Sequence, residues 1–298
     1  MLMQSHGTKT HGFTLTEMAV VLVIVGLLFV FLLPVSNTLM SNQRRAATLQ
    51  TLNNIQSALN NFAIINKRLP CPADGSLAIP SGLEGTLNAN GDCANNQADG
   101  IVPWVPLGLA PAATLDAWYD QITYRVGYGL TRNGALDMTY CDPGGAATAT
   151  AGWPAAGGGL CATTCTGTFS AANCTSPTNF LALKGLDVTT DGTTKVMDHT
   201  NYTGAAYILI SHGDDGYGAI NSAGVYLATA VRGIGGTPTL EGNNTNLATR
   251  TVTSSTWNQF VDAPFSDANN PAVYFDDIII RPSLLSVINQ AQLGPRSH

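Results

Sequence analysis

The chain has 298 residues, of which 45% are hydrophobic and only 11% are charged. This length and apolar content allow a sizeable core and exclude a chain that is disordered throughout. A charged fraction far below the roughly 25% of typical soluble domains, together with 31 glycines, is typical of a secreted, loop-rich protein. From residue 13 onward, 12 basic residues stand against 19 acidic ones, a net charge of −7, which makes nucleic acid a poor partner.

The first predicted element is residues 13–33, FTLTEMAVVLVIVGLLFVFLL, a run of 21 residues in which Glu17 is the only charge. A helix of this length can cross a hydrocarbon core of about 30 Å, so we expect a transmembrane helix. A secretory signal peptide carries its apolar stretch before the cleavage site, whereas here the polar residues 1–12 come first. Lys9 favours a cytoplasmic leader, residues 1–12, and an outward orientation of the remaining chain.

Glu17 needs a partner, because an ionised carboxylate on a lipid-facing helix costs up to about 3 kcal/mol. A cut between Gly12 and Phe13 would create an α-amino group four residues before Glu17. At about 4 Å and an effective dielectric of about 20, that cation on a neighbouring subunit attracts the carboxylate by roughly 4 kcal/mol before desolvation is subtracted. Such a pair is predicted to set the register between packed helices.

Gly12 followed by residues 13–17, FTLTE, and an apolar run resembles the cleavage and methylation motif of type IV prepilins and of secretion-system pseudopilins. The resemblance implies that a prepilin peptidase cuts between Gly12 and Phe13 and methylates Phe13. It also implies that Glu17 acts in assembly. The implied partners are other pilin or pseudopilin subunits, the prepilin peptidase, an inner-membrane assembly platform and, before assembly, membrane lipid. A plain signal anchor that contains a glutamate is the alternative.

Residues 34–69 are predicted to continue this helix with an amphipathic face, which gives one N-terminal helix over residues 13–69. The apolar residues recur at spacings of three and four; they are Leu49, Leu52, Ile55, Leu59, Phe62, Ile65 and Leu69. Gly26 and Pro34 are predicted points of helix flexibility, because glycine tolerates altered backbone angles and proline lacks a backbone donor. The two prolines in LPCPADG stop the helix, which we expect to end near residue 66.

Residues 70–298 are predicted to form a globular head with a mostly buried antiparallel sheet. Aromatic, β-branched and continuous apolar runs predict its strands; they cover residues 102–105, 119–126, 205–210, 224–231 and 273–280. A sheet that receives the amphipathic half of the helix buries both apolar surfaces, which is the α+β arrangement. We therefore expect a pilin-like α+β fold, a long N-terminal helix packed on an antiparallel sheet.

All six cysteines follow the helix, and they are Cys71, Cys93, Cys141, Cys161, Cys165 and Cys174. An even number in a secreted head predicts disulfides. Zinc is the alternative, but the sequence has no CxxC pair and no histidine pair near the cysteines. Proximity in the sequence favours pairing of the first two, whereas the pairing of the other four around the glycine-rich residues 144–159 stays open.

Residues 211–218, SHGDDGYG, are the one stretch that gathers a hydroxyl, an imidazole and carboxylates. A hydrolase needs a serine with an oriented base, but neighbours on a strand point to opposite faces, so Ser211 and His212 are not expected to pair. The sequence also has no GxSxG motif. We therefore predict that the protein is not an enzyme.

Calcium is a second hypothesis for this region, because aspartates flank two strands that are predicted to be neighbours. The candidate ligands are Asp214, Asp215, Asp276 and Asp277, whose hard oxygens suit calcium. Some pseudopilins that the chain resembles hold calcium in the C-terminal sheet region. The stretch lacks EF-hand spacing, and Asp and Gly also favour tight turns, so ordinary turn chemistry is the alternative.

The sequence as a whole predicts a structural subunit of a type IV pilus-like filament. The large head favours a minor or tip pilin, and the alternatives are a pseudopilin of a type II secretion system or a filament-tip adhesin. We expect a single pass through the bacterial inner membrane with the head in the periplasm, followed by incorporation into a cell-surface or periplasmic filament. No cofactor other than calcium is expected.

Overall fold

The structure is a computed structural model. It describes residues 14–77, 81–87, 93, 99–127, 129–138, 184–228, 237–245 and 258–294, apart from the side chains of residues 29–38 and 258–259. The chain divides into two compact units, Met1–Arg44 and Arg45–His298.

Helix α1 runs from Leu15 to Asn66 and has 52 residues. The prediction of one long N-terminal helix ending near residue 66 is confirmed, whereas the expected continuation to residue 69 is wrong. The helix stops because Lys67 adopts a left-handed φ of 55° and Pro70, which lacks a backbone donor, follows. The chain then enters the head directly.

The second half of α1 buries one face in the core. Leu52, Ile55 and Leu59 are fully buried, and Phe62 is nearly so. Their spacing of three and four places them on one side of the helix. Ile65 was expected on the same face but is 78% exposed, and Leu49 is also exposed, so the buried stripe is narrower than the sequence indicated.

Nine strands and one short helix follow α1 in the described residues. The strands are β1 Asp99–Ile101, β2 Asp120–Gln121, β3 Thr123–Val126, β4 Asp187–Thr189, β5 Lys195–Met197, β6 Tyr207–Ser211, β7 Ile220–Asn221, β8 Asn258–Val261 and β9 Ile278–Ile280. Helix α2 is Leu284–Gln290. Single-turn 3-10 helices lie at Pro111–Thr114, His199–Asn201 and Glu241–Asn243.

The principal sheet has the order β1-β3-β6-β9, and all its pairs are antiparallel. The strands β2 and β7 form a separate antiparallel pair. The third sheet has the order β5-β4-β8. Its β4–β8 pair is parallel, which the sequence did not predict. An α+β architecture with mainly antiparallel pairing is therefore confirmed.

Strand β6 is the centre of the core, since it is buried along its whole length. Leu209 of β6 lies opposite Tyr124 of β3 on one side and Ile280 of β9 on the other. The stripe of α1 belongs to the same apolar cluster as these strands and α2. Because Ser211 at the end of β6 pairs with Ile278 at the start of β9, the turn after β6 lies beside the residues that precede β9.

The strand predictions were right in the core and wrong at its margins. Residues 119–126 contain β2 and β3, and residues 205–210 overlap β6, but only the end of residues 273–280 is a strand. Residues 102–105 are not a strand, because β1 ends before them and a turn begins at Trp104. In the described part of residues 224–231 only Tyr226 forms a single bridge, with Ile220.

A disulfide joins Cys71 and Cys93, as the sequence proximity predicted. The bond ties the chain just after α1 to the segment that precedes β1. The other four cysteines, Cys141, Cys161, Cys165 and Cys174, lie outside the described residues.

The first half of α1 carries apolar side chains that are exposed in the single chain. Leu15 is 88% exposed, Leu22 66% and Val23 61%. Within the described part of the chain, no helix combines the length and the apolar character that crossing a membrane requires.

Candidate functional site

Glu17 forms a reciprocal hydrogen-bonded pair with Thr14 at the start of α1. Its Oε2 accepts hydrogen bonds from the backbone N–H of Thr14 (2.8 Å) and from the Thr14 hydroxyl (2.9 Å), while the Glu17 N–H donates to Thr14 Oγ1 (3.3 Å). This is the capping-box geometry, which satisfies donors that a helix start leaves free. Sequence reasoning missed this role, although a threonine three residues before a glutamate is its signature.

Of the other residues predicted to act in processing and helix flexibility, the structure describes Gly26 and the backbone of Pro34. Gly12 and Phe13 lie outside it. A Cβ added at Gly26 would meet no atom within 4 Å, so packing in the single chain does not require a glycine there. The helix continues through Pro34, whose side chain is outside the described set.

Three buried carboxylates meet where β6 ends and β9 begins. Asp215 lies in the turn after β6, Glu241 starts the 3-10 helix Glu241–Asn243, and Asp276 lies two residues before β9. One carboxylate oxygen from each lies within 4.8 Å of the others. The three residues are at most 2% exposed, and we call them the acidic cluster.

Backbone and hydroxyl donors hold each member of the acidic cluster through one oxygen. Asp276 Oδ2 accepts from the N–H groups of Asp214 (2.6 Å) and Asp215 (3.0 Å) and from the Tyr274 hydroxyl (2.9 Å). Glu241 Oε1 accepts from the Asp276 N–H (2.5 Å). Asp215 Oδ1 accepts from the Tyr217 N–H (2.8 Å). The three carboxylates are therefore fixed in orientation.

The second oxygen of each carboxylate accepts no hydrogen bond from a backbone, hydroxyl or amide donor in the described residues, but the side chains of Asp215 and Glu241 lie within hydrogen-bonding distance of each other. These atoms are Asp215 Oδ2, Glu241 Oε2 and Asp276 Oδ1, and all are buried. Buried polar atoms in native proteins nearly always have a partner, because leaving one unpaired costs about 1–3 kcal/mol. Because burial raises the pKa of Glu241, its protonated carboxyl group can donate this hydrogen bond to Asp215.

Burial and mutual repulsion perturb the acid strength of the acidic cluster. Burial raises the pKa of Asp215, Glu241 and Asp276, because an ionised carboxylate loses hydration there. The neighbouring carboxylates raise each pKa further, with Asp277 acting on Glu241 and on Asp276. The protein alone thus disfavours full ionisation of the cluster.

Gly213 makes the close approach within this turn feasible. Its φ is 61°, and a Cβ there would lie 2.4 Å from Asp276 Cγ. A side chain at this position would displace the Asp276 carboxylate from the backbone N–H groups that follow. Gly213 therefore allows the close approach of Asp276 on which the geometry of the acidic cluster depends.

The structure brings together only two of the four predicted calcium ligands. Asp215 and Asp276 belong to the acidic cluster. Asp214 Oδ1 instead accepts from the Trp118 indole N–H (2.7 Å). Asp277 Oδ2 accepts from Asn244 Nδ2 (2.6 Å), and its Oδ1 lies 3.5 Å from His212 Nδ1.

Glu241 is the cluster member that sequence reasoning missed. It lies 26 residues after Asp215 and 35 before Asp276, in a segment without a strand pattern. Its one distinguishing feature is that it is one of only three glutamates in the chain. Composition draws attention to it, but nothing local places it beside the two aspartates.

Ser211 and His212 are directed to different partners. The Ser211 hydroxyl donates to Asp116 Oδ2 (2.7 Å), whereas His212 Nε2 lies 3.0 Å from the Thr123 hydroxyl. Burial lowers the pKa of His212, but Asp277 beside it raises that pKa, and the net shift is upward. The two side chains therefore make separate buried hydrogen bonds and do not pair with each other.

A second group of possible metal ligands comprises Asp187, Asp198 and His199. It already contains a cation of the protein, because Lys195 Nζ lies 2.6 Å from Asp187 Oδ2. His199 Nδ1 lies 2.7 Å from the other oxygen, Asp187 Oδ1. This arrangement is an internal ion pair that links β4 and β5.

The comparison with protein families identifies the N-terminal segment. Residues 7–33 match the family described as the prokaryotic N-terminal methylation motif. This motif is the prepilin-peptidase signal of type IV pilins and pseudopilins, and it spans Gly12, Phe13 and Glu17. The chain therefore carries the signal for prepilin peptidase processing and for membrane-associated assembly with other pilin subunits. No curated protein and no solved structure matched the chain in the comparisons.

Proposed function

We propose that this chain is a minor or tip subunit of a type IV pilus-like filament. Residues 13–33 insert into the bacterial inner membrane with the head in the periplasm, prepilin peptidase cuts between Gly12 and Phe13, and the mature helix joins a filament core. The observation that carries the proposal is the methylation motif at residues 7–33.

The surface of α1 supports assembly through the helix. Its first half presents apolar side chains such as Leu22 and Val23 to solvent in the single chain. A contiguous apolar surface of this kind is typical of an interaction or membrane site rather than of a surface that stays in water. Lipid before assembly and neighbouring helices after it provide the apolar contacts that the single chain lacks.

The size of the head supports a minor or tip position. Residues 70–298 include long glycine-rich stretches, and every copy in a repeating filament wall would have to accommodate them. A subunit at the end of a filament has no such restriction. A pseudopilin of a type II secretion system has the same N-terminal motif. Deletion of the gene distinguishes the pilus subunit from the pseudopilin. Loss of pili supports our proposal, and loss of secretion with intact pili supports the alternative.

Mass spectrometry of the N-terminal peptide tests the processing step. In cells with prepilin peptidase we expect a mature N-terminus at Phe13 that carries one methyl group, and in cells without the peptidase we expect residues 1–12 to remain. As a matched control, a Thr8→Ala variant, altered within the leader but away from the cut, should be processed normally. A mature N-terminus at any other residue would contradict the proposal.

A further inference from the structure

We propose that Arg45 and Thr48 attach the beginning of the packed half of α1 to the head through a clasp that opens while the head stays folded. The clasp consists of these two residues and their partners, Ala117, Phe265 and Asp276. All of them belong to the second compact unit, Arg45–His298. The inference therefore holds whether or not the chain assembles into a filament.

Arg45 connects α1 to the segment that precedes β9. Its guanidinium Nη1 donates a hydrogen bond to the backbone carbonyl oxygen of Asp276 (3.1 Å), and its Cζ lies 4.1 Å from the centroid of the Phe265 ring. Phe265 is 50% exposed and Arg45 is only half-buried, so water reaches both side chains. Because solvent weakens a cation–π contact, this contact holds α1 less firmly than a buried one would.

Thr48 connects α1 to the turn that precedes β2. Its hydroxyl oxygen accepts a hydrogen bond from the backbone N–H of Ala117 (3.1 Å). The next N–H of this turn, that of Trp118, donates instead to Asp116 Oδ1 (2.9 Å). Two adjacent amides of one turn therefore have acceptors in different parts of the molecule, one on α1 and one in the turn itself.

Polar contacts hold residues 45–51, whereas apolar burial holds the helix after them. The structure describes every side chain of residues 45–51, and among them Thr48 is the only one that is buried. Leu52, Ile55 and Leu59 are fully buried in the core. Opening a segment costs less free energy where few buried apolar contacts are lost. We therefore expect residues 45–51 to detach before the stripe that begins at Leu52.

Opening of the clasp would release about two helical turns, residues 45–51, from the head. The stripe that begins at Leu52 would keep the rest of the helix packed, so the fold of the head would survive. Such a stepwise attachment suits a helix that exchanges lipid for neighbouring helices during assembly. This use of the clasp rests on our proposed function, whereas the clasp itself does not.

Hydrogen exchange of the full chain in detergent, resolved to single amides by mass spectrometry, tests the clasp. The Ala117 amide reports detachment of α1, because its hydrogen-bond acceptor lies on the helix. The Trp118 amide is the internal control, because its acceptor lies in the turn. After correction for intrinsic exchange rates, we expect the Ala117 amide of the wild type to exchange at least about tenfold faster than the Trp118 amide.

Arg45→Gln should open the clasp selectively. We expect exchange of the Ala117 amide to rise by about tenfold, because a charged hydrogen bond and a cation–π contact are lost, while exchange of the Trp118 amide and the Tm stay unchanged. Phe265→Leu removes only the aromatic ring and should change the Ala117 amide in the same direction. Arg44→Gln is the matched control, since it removes the same charge from an exposed side chain one residue earlier, and it should change neither amide.

Leu59→Ala distinguishes local opening from global unfolding. The substitution removes a fully buried side chain and destabilises the whole head. It should therefore raise the exchange of the Ala117 and Trp118 amides together and lower the Tm.

Three results would overturn the inference. Equal protection of the Ala117 and Trp118 amides in the wild type would mean that α1 does not detach separately. An unchanged Ala117 amide in Arg45→Gln would show that Arg45 does not hold the helix. An equal rise at both amides in Arg45→Gln, as expected for Leu59→Ala, would show that these contacts open only when the whole head unfolds.

Discussion

Glu17 combines two roles that can be separated by substitution. Its carboxylate caps α1 together with Thr14, and its charge is the proposed partner of the α-amino group of a neighbouring Phe13. The capping role needs a hydrogen-bond acceptor, which glutamine also provides, whereas the pairing role needs a negative charge.

We expect Glu17→Gln to insert into the membrane normally and to fail in filament incorporation. The substitution keeps the helix cap and removes the charge that attracts the amine. Incorporation is measured by immunoblotting of sheared filaments against the membrane fraction.

Thr14→Ala is the matched control, because it removes the threonine hydroxyl from the cap and keeps the charge of Glu17. It should cost about 1 kcal/mol of local helix stability and still assemble. Normal incorporation of Glu17→Gln, or equal failure of both variants, would contradict the charge-pairing role.

Three acidic residues, Glu17, Glu241 and Asp214, show which contacts the sequence can predict and which it cannot. Glu17 is recognised because its charge interrupts an apolar run, and an apolar run is a local property. Glu241 was missed because its neighbours in space are 26 and 35 residues away along the chain. Asp214 was misplaced because adjacent residues in a turn, Asp214 and Asp215, have different partners.

At the scale of elements, α1 presents two unlike surfaces. From Leu52 to Phe62 one face is buried against the sheet, while Ile64 and Ile65 on other faces are exposed. Burial of the first face stabilises the head, since a fully buried leucine contributes about 1.5–3 kcal/mol relative to an exposed one. The exposed residues contribute little to the stability of the single chain.

We expect Leu59→Ala to destabilise the head by about 2–5 kcal/mol, because it removes a fully buried side chain and leaves a cavity against the sheet. Denaturant unfolding of the full chain in detergent, followed by near-ultraviolet circular dichroism, measures the change.

Ile65→Ala is the matched control on the same helix, since Ile65 is 78% exposed. Its effect on stability should stay within about 0.5 kcal/mol. A loss as large as that of Leu59→Ala would show that the face around Ile65 is buried in the head.

At the scale of the whole molecule, the Cys71–Cys93 disulfide connects the end of α1 to the sheet. It lies where the chain leaves the helix, and it closes a loop of 22 residues before β1 begins. Constraining a loop of this length in the unfolded state stabilises the fold by about 3 kcal/mol.

We expect the double variant Cys71→Ala/Cys93→Ala to lose about 3 kcal/mol of unfolding free energy while it keeps its secondary structure. Alanine avoids a buried hydroxyl, since both cysteines are nearly fully buried. Denaturant unfolding under oxidising conditions measures the loss with the other four cysteines intact. Stability within about 0.5 kcal/mol of the wild type would show that the bond does not constrain the head.

The sequence by itself determined the features that depend on local patterns. The methylation motif, the single long helix, its stop before Pro70, the central strand that overlaps residues 205–210 and the disulfide between neighbouring cysteines each follow from residues close together in the chain. The periodicity of apolar residues indicates which face of a helix or strand is apolar, and prolines indicate where a helix or strand cannot continue.

Only the tertiary structure decided which distant residues meet. The pairing of β6 with β9 brings Asp215 to Asp276, and the loop that carries Glu241 completes the acidic cluster. The parallel β4–β8 pair is of the same kind, because register between segments far apart in sequence is set by the packing of the entire core. Local sequence determines the secondary-structure elements, whereas the acidic cluster forms only when these elements have packed together.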